Sequence, residues 1–266
     1  MLESKIYQQI VQTKKGICVL IDPDKLVSEK QLNAKMERIN KLQPDFVFVG
    51  GSTVKKTDFI RWFPKIKAQS EVPVLIFPGS HEHFHPSADG LLFLSLISGR
   101  NPEYLITQHV LSSTKIFNSK VEALSTGYML IDGDKPTAVQ LVSGTDPIPQ
   151  NDTQRIIDTA TAAYLMGMKL LYLDAGSGAH RSIHPKIIQK LTFLGMPIIV
   201  GGGITHPQEI KAYHEAGSNL VVIGNKLETH ADFIEELIQY NKNQGAWLPL
   251  ANGGLEANVK ALNVMG

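Results

Sequence analysis

The segment YLDAGSGA (172–179) places one acid, Asp174, directly before a patch that has almost no side chains. Two later segments, VGGGI (200–204) and IGN (223–225), are also rich in glycine and lack basic residues. Such loops can present backbone N–H groups to a phosphate without obstruction. A single glycine-rich segment often marks only a tight turn, but three in succession favour a phosphate site. Because phosphate repels a carboxylate, we expect Asp174 to hold a neighbouring hydroxyl of the same ligand, which indicates a polyol phosphate.

A second candidate site lies in LIDPDK (20–25), where Asp22 could supply an oxygen ligand to a hard cation. Ser52, in VGGST (49–53), could add a hydroxyl oxygen. Mg²⁺ typically takes only one or two carboxylates and completes its shell with water and substrate phosphates. An Asp-Pro-Asp stretch is also an ordinary turn, so both interpretations stay open at this point. The histidines of HEHFHPSAD (81–89) are interpreted as a solvated loop rather than a zinc site, because only one carboxylate lies beside them.

The elements that must position these residues follow from short apolar runs rich in β-branched residues. Such runs suit strands that are buried on both faces, as in parallel sheets. The runs are ICVLI (17–21), FVFV (46–49), VLIF (74–77), LLFLS (91–95), GYMLI (127–131), LLYLD (170–174), IIV (198–200) and LVVIG (220–224). Helical spacing recurs between them, at 27–42, 53–68, 102–118, 152–167, 184–194, 206–216 and 229–241. Eight strands alternating with helices predict a (β/α)8 TIM-like barrel, whereas a doubly wound open sheet usually has fewer strands.

Two connections are irregular. Only residues 81–89 separate the third and fourth runs, which is too short and too polar for a packing helix, so the third helix of the barrel is predicted to be missing. The connection 132–151 is long, and its TAVQLV (137–142) could form an extra strand. We predict one barrel domain over residues 1–245 and a C-terminal extension over 246–266.

Composition excludes several classes of function. The formal net charge of +1 provides no global field for nucleic acid, so any anion site must be local. Cys18 is the single cysteine, which excludes a disulfide framework and a thiolate metal cluster, and it is expected to be a small buried hydrophobe. The first ten residues do not read as a signal peptide, and no apolar run is long enough to span a membrane. We expect a cytoplasmic protein.

From about residue 14 to 241 the chain resembles the geranylgeranylglyceryl phosphate synthase family, which includes the bacterial heptaprenylglyceryl phosphate synthases. The resemblance rests on LIDPDK, VGGSTV, PVLIFPGS, SGRNPEYLI, YLDAGSGA, VGGGI and IGN, which occur in the family's order. It implies a modified barrel that lacks its third helix. It also implies transfer of a prenyl group from an allylic diphosphate to the sn-3 hydroxyl of sn-glycerol 1-phosphate, with Mg²⁺ as cofactor.

The resemblance assigns roles to individual residues. Asp22 and Ser52 match the metal positions. Asp174 is the expected catalytic residue, whose carboxylate would orient the acceptor hydroxyl and accept its proton. The glycerol phosphate segments correspond to Tyr172, Leu173, Asp174, Ala175, Gly176, Ser177, Gly178, Gly202, Gly203, Gly224 and Asn225. For the prenyl diphosphate we expect contacts from Arg100, Phe77 and Tyr104, and an apolar groove at the missing helix lined by Phe77, Phe84, Tyr104 and Ile106.

Two departures refine this expectation. Many family members carry Glu where this chain has Asp174, which is one methylene shorter. The heptaprenyl-type enzymes tend to carry Lys at the position of Leu20, so this chain resembles the archaeal-type branch and its twenty-carbon donor. The alternatives are a phosphosugar isomerase or cyclase barrel, and a non-catalytic phosphate-binding barrel. We further expect a homo-oligomer, no nucleic acid partner, and transient contact with a membrane surface during product release.

Overall fold

The computed structural model describes residues 4–224 and 232–243, and it contains a closed barrel of eight parallel strands. The strands are β1 (Gly16–Ile21), β2 (Phe46–Gly50), β3 (Val74–Phe77), β4 (Gly90–Leu96), β5 (Glu122–Leu130), β6 (Leu170–Asp174), β7 (Ile198–Gly201) and β8 (Leu220–Ile223). Each strand pairs with the next in chain order, and β8 pairs with β1 through Gly16 opposite Leu220. The barrel prediction is confirmed. Asn225 and the predicted extension 246–266 lie outside the described residues.

Seven of the nine described helices occupy connections that helical spacing predicted. The nine are α1 (Lys5–Gln12), α2 (Glu29–Leu42), α3 (Lys56–Gln69), α4 (Gln108–Phe117), α5 (Ala138–Ser143), α6 (Thr153–Leu165), α7 (Pro185–Leu191), α8 (Pro207–Glu215) and α9 (Asp232–Asn243). Of these, α1 and α5 were not predicted as helices. A π-helical turn, Glu103–Thr107, leads into α4, and short 3₁₀ turns occupy Pro23–Lys25 and Thr192–Leu194. None of the described helices combines the length and apolar character that crossing a bilayer requires.

Alternation along each strand divides the core into two layers. On β6, Leu171 and Leu173 face the surrounding helices, while Leu170 and Tyr172 face the barrel interior. Cys18 is fully buried in the interior layer, as expected. At the N-terminal ends of the strands, α1 closes the barrel, and its Ile10 is fully buried in the interior layer.

The third βα unit has no helix, which confirms the gap in the outer ring. Between Phe77 and Gly90 the chain forms only turns. His83 in this link is buried at 2% exposure, so the prediction of a solvated loop is wrong for this residue. Its Nδ1 accepts the Gly79 N–H at 3.1 Å, its Nε2 donates to the Val54 carbonyl at 2.9 Å, and its ring stacks on Phe59. The imidazole therefore anchors the link to the loop that follows β2.

The segment 137–142 is a helix rather than the extra strand that its β-branched residues suggested. The Thr137 hydroxyl accepts the Gln140 N–H at 3.3 Å and thereby caps the first turn of α5. Gly144 ends the helix in the left-handed conformation, with φ of 62°. These capping interactions outweigh the strand preference of the two valines.

Candidate active site

A cavity of about 540 Å³ opens at the C-terminal ends of the strands, and we call it the mouth. Every described loop that carries a predicted phosphate or metal residue contributes to its wall. The lining residues are Leu20, Asp22, Lys25, Gly50, Gly51, Ser52, Thr53, Phe77, Ala138, Val139, Tyr172, Asp174, Ser177, Gly178, Ala179, Gly202, Gly203, Ile204, Thr205, Val222, Ile223 and Gly224. Asp22 and Asp174, which are about 150 residues apart in sequence, therefore share one cavity.

The mouth gathers seven of the residues predicted to bind glycerol phosphate. These are Tyr172, Asp174, Ser177, Gly178, Gly202, Gly203 and Gly224. Leu173 and Ala175 instead belong to the layer between strands and helices, as alternation requires. Gly176 does not line the mouth either, but its N–H donates to Asp174 Oδ1 at 2.7 Å and so fixes the start of the loop that follows β6.

Four of the described glycines predicted to bind glycerol phosphate have positive φ, namely Gly176, Gly178, Gly202 and Gly203. Gly202 has φ of 82°, and a Cβ atom there would lie 2.5 Å from Asp174 Oδ1. Gly203 has φ of 71°, and its Cβ would lie 3.1 Å from the backbone of Ser182. Gly224 differs, because its φ lies outside the left-handed region and the nearest atom to an added Cβ, on Leu20, is 3.5 Å away. Absence of a side chain at Gly224 is therefore not a demand of the fold.

Asp174 ends β6 with its carboxylate almost wholly buried, at 8% exposure. Its Oδ1 accepts the Gly176 N–H, and its Oδ2 accepts the Tyr128 hydroxyl at 2.5 Å. Burial raises the pKa of Asp174, while these two hydrogen bonds partly oppose that rise. A carboxylate with a raised pKa is a better proton acceptor than an exposed one.

Sequence reasoning missed Tyr128. The residue stands in the run GYMLI, which was interpreted only as a buried strand. Its position opposite Tyr172 in the pairing of β5 with β6 directs it into the barrel interior. Alternation along β5 could have placed Tyr128 on the interior face. The pairing register that brings its hydroxyl to Asp174 depends on the tertiary structure, which the sequence pattern does not give.

Asp22 has the surroundings expected of a cation ligand. Its Oδ1 is buried and has no hydrogen-bond partner among the described residues, while its Oδ2 pairs with Lys25 at 3.2 Å. Burial, followed by a hydrogen bond with Asp24, raises the pKa of Asp22 to about 7, against the attraction of Lys25. An unsatisfied buried carboxylate oxygen costs free energy, which a bound cation would recover.

The donor set around Asp22 suits a cation held partly by its substrate. Ser52 lines the same cavity. Within residues 4–224 and 232–243, no three His, Cys, Asp or Glu side chains are grouped to hold a metal by themselves. One carboxylate with one hydroxyl fits Mg²⁺, which usually takes its remaining ligands from water and substrate phosphates.

A second, largely apolar cavity occupies the space that the missing helix leaves, and we call it the groove. Its lining residues are Ser52, Phe77, Pro78, Gly79, Ser80, His81, His83, Phe84, Leu91, Phe93, Leu94, Leu96, Tyr104, Gln108, His109, Ser112, Ile116, Tyr128, Val139, Val142 and Ser143. Ser52, Phe77 and Val139 line both cavities, so the groove adjoins the mouth.

Three of the four residues expected to line a prenyl groove do so, namely Phe77, Phe84 and Tyr104. Ile106 is instead 57% exposed and lies outside the lining. Arg100 lines neither cavity, because its guanidinium donates to the carbonyls of Gly99 and Ile97 at 2.6 and 3.2 Å.

The fold and the two adjoining cavities define a modified (β/α)8-barrel enzyme with a glycine-lined mouth and an apolar groove in its wall. The profile of the PcrB family matches residues 8–241, and the chain belongs to this family. A geranylgeranylglyceryl phosphate synthase from Chitinophaga pinensis is 39% identical over 241 residues, which cover 89% of this chain and 95% of that protein. The synthase from the archaeon Methanopyrus kandleri is 34% identical, over 84% of this chain and 93% of its own length.

Solved structures agree with these relatives. (S)-3-O-geranylgeranylglyceryl phosphate synthase from Thermoplasma acidophilum, crystallised with its substrate sn-glycerol-1-phosphate, superposes with a TM-score of 0.81 at 29% identity. The match covers 90% of this chain and 96% of that one. The tryptophan synthase α-subunit of Pyrococcus furiosus shares only the fold, with a TM-score of 0.54 at 11% identity. The predicted family is thus confirmed, and the chain is an enzyme of the prenyltransferase class.

Proposed function

We propose that the enzyme transfers a geranylgeranyl group from its diphosphate to the sn-3 hydroxyl of sn-glycerol 1-phosphate, with Mg²⁺ as cofactor. The observation that carries the proposal is that the glycine-lined mouth adjoins the apolar groove at Ser52, Phe77 and Val139. A polyol phosphate in the mouth and a prenyl chain in the groove would meet at this junction. Holding both reactants in one orientation supplies much of the rate enhancement of a two-substrate reaction.

The apolar lining of the groove supports a prenyl donor, because Leu91, Phe93 and Ile116 all contribute to it. Leu20, where heptaprenyl-type enzymes tend to carry Lys, and the names of the relatives both favour the twenty-carbon donor.

Asp22 and Ser52 would hold Mg²⁺ at the mouth end of the groove, because Asp22 Oδ1 is buried without a hydrogen-bond partner in the described part of the chain. When bound, the cation neutralises negative charge on the leaving diphosphate. Gly202, Gly203 and Gly224 leave the backbone of their loops open to the acceptor's phosphate.

Asp174 orients the acceptor hydroxyl and takes up its proton as the new C–O bond forms at the prenyl carbon. The electron pair of the broken C–O bond leaves with the diphosphate. Burial raises the pKa of Asp174, so its carboxylate has the basicity that this role requires. Its rigid attachment through Gly176 limits the motion that would misalign it.

The decisive experiment supplies the purified chain with sn-glycerol 1-phosphate and one prenyl diphosphate at a time, from ten to thirty-five carbons, with and without Mg²⁺. We expect a Mg²⁺-dependent ether product and equimolar pyrophosphate, fastest with geranylgeranyl diphosphate. sn-Glycerol 3-phosphate serves as the matched acceptor control. Binding of glycerol phosphate without transfer to any donor would indicate a non-catalytic barrel, and rearrangement of a phosphosugar without pyrophosphate would indicate an isomerase or cyclase.

We also propose that the enzyme is a cytoplasmic homo-oligomer that contacts a membrane surface transiently when its lipid product leaves. The product joins a long apolar chain to a charged phosphate, which suits a membrane surface better than water. Light scattering after gel filtration measures the oligomeric state. Flotation with liposomes, with and without product, measures the membrane contact.

A further inference from the structure

Tyr128 and Asp174 form one buried hydrogen-bonded pair. The Tyr128 hydroxyl donates to Asp174 Oδ2 at 2.5 Å, and the two side chains are 4% and 8% exposed. Residues 130 and 174 are partners in the pairing of β5 with β6, so Tyr128 lies two residues below the level of Asp174 and reaches up to it from the interior. Neighbouring strands thus hold both residues rigidly.

This pair spans the boundary between the two cavities. Tyr128 lines the groove and not the mouth, whereas Asp174 lines the mouth and not the groove. Phe77, which lines both, has its ring centroid 6.1 Å from that of Tyr128. The hydrogen bond therefore lies where a prenyl carbon from the groove would meet an acceptor hydroxyl in the mouth.

The carboxylate of Asp174 has one fixed contact on each oxygen. Oδ1 is held by the Gly176 N–H at 2.7 Å, and Oδ2 is held by Tyr128. Without the tyrosine hydroxyl, Oδ2 would have no hydrogen-bond partner among the described residues, and the carboxylate would be held only by the hydrogen bond from the Gly176 N–H to Oδ1. A short acid needs such orientation more than a longer one, because it has less reach to compensate for misalignment.

We propose that Tyr128 is a positioning residue. Its hydroxyl fixes the orientation and the ionisation of Asp174 where mouth and groove adjoin. This inference rests on the proposed function. Tyr128 acts through Asp174 and needs no bond of its own to the acceptor. A merely structural tyrosine would support packing alone, and phenylalanine would replace it fully.

Few charged groups compete with this hydrogen bond. Tyr172, on the same strand as Asp174, faces the pair from the interior, and its hydroxyl is also neutral because burial raises its pKa. Gly201 of β7, paired with Asp174, carries no titratable group. Asp22 and Lys25 line the mouth on the far side, at β1. Burial raises the pKa of Asp174 and the Tyr128 hydrogen bond lowers it, so loss of the hydroxyl should raise it further.

The test is Tyr128→Phe, which removes one oxygen and keeps the ring. We expect kcat to fall about 10- to 100-fold, as for a lost hydrogen bond to a charged group, with a change in acceptor KM below about 3-fold. We also expect the acidic limb of the kcat–pH profile to move to higher pH. Tyr213→Phe is the matched control, since Tyr213 is equally buried, lies on α8 and lines neither cavity. It should retain full activity.

A double-mutant cycle establishes whether Tyr128 acts through the acid. In an Asp174→Asn background, Tyr128→Phe should have no further effect on kcat. Full additivity of the two losses, or wild-type kcat and pH profile in Tyr128→Phe, would overturn the proposal.

A measurement without substrates separates this inference from the proposed function. The pKa of Asp174, followed by carboxyl ¹³C NMR, should rise in Tyr128→Phe and stay unchanged in Tyr213→Phe. If the wild-type chain transferred no prenyl group, the proposed function would fail while this titration still reported the coupling. An unchanged Asp174 pKa in Tyr128→Phe would overturn the coupling itself.

Discussion

Gly224 offers the cleanest test of phosphate binding by the glycine loops. An added Cβ would meet Leu20 at 3.5 Å, which is ordinary van der Waals contact, and the backbone φ does not require glycine. Gly224→Ala should therefore not destabilise the protein, and it should raise the free energy of unfolding by about 0.5 kcal/mol, since it reduces the conformational freedom of the unfolded chain. The same change at Gly203 would be ambiguous, because φ of 71° strains any side chain there.

The bulkier Gly224→Val should obstruct the approach of the phosphate to the backbone of this loop. Loss of one hydrogen bond to a charged group costs about 1.5–3 kcal/mol, which corresponds to about a 10- to 100-fold weaker Kd for sn-glycerol 1-phosphate. Titration calorimetry measures the affinity, and chemical denaturation confirms that the variant is folded. A wild-type Kd in a folded Gly224→Val protein would refute phosphate binding at this loop.

Three further predictions address other parts of the molecule. Asp22→Asn should lower turnover at least about 100-fold and abolish its saturation by Mg²⁺, because a neutral amide recruits the cation weakly; a metal titration of the rate checks this. Ile116→Trp should fill the part of the groove next to α4 and lower kcat/KM about 10-fold for geranylgeranyl diphosphate, with little change for geranyl diphosphate. Equal losses of kcat/KM for both donors would contradict this prediction. Burial raises the pKa of Asp45 to about 7, so the folded protein keeps a proton that the unfolded chain loses above about pH 4. The free energy of unfolding contributed by this proton falls as pH rises from about 4 to about 7, and Asp45→Asn should remove about 4 kcal/mol of that fall in denaturation curves.

The barrel was predictable because its strands are continuous apolar runs, and all eight runs lie in or next to observed strands. β5 is the instructive exception at its boundary. It begins at Glu122, five residues before the apolar run, because pairing with β4 extends through residues 122–126, which mix polar and apolar side chains and do not form a continuous apolar run. The carboxylate of Glu122 accepts the N–H groups of Ile6 and Tyr7 at the start of α1, a tertiary role that leaves no local signature.

The site was predictable to the extent that its residues follow strands directly. Asp22, Ser52 and Asp174 meet in one mouth because parallel strands in a barrel end at one rim. Arg100 also follows its strand but lines neither cavity, and its Nη1 donates to the carbonyls of Ile97 and Gly99, a local contact that the strand pattern does not predict. His83 shows a second limit of prediction from sequence. Its imidazole lies in a polar segment but is buried because it stacks on Phe59, a contact between residues distant in sequence.

The closure of the barrel has a consequence for synthesis on the ribosome. β1 is completed at Ile21, yet one of its two edges pairs with β8, which begins at Leu220. That edge must wait for almost two hundred residues to emerge, which at about 5–20 residues per second takes at least about ten seconds. During this interval one edge of the apolar β1 presents unpaired backbone groups, so a nascent chain halted before Leu220 exposes a strand edge that can pair with another chain.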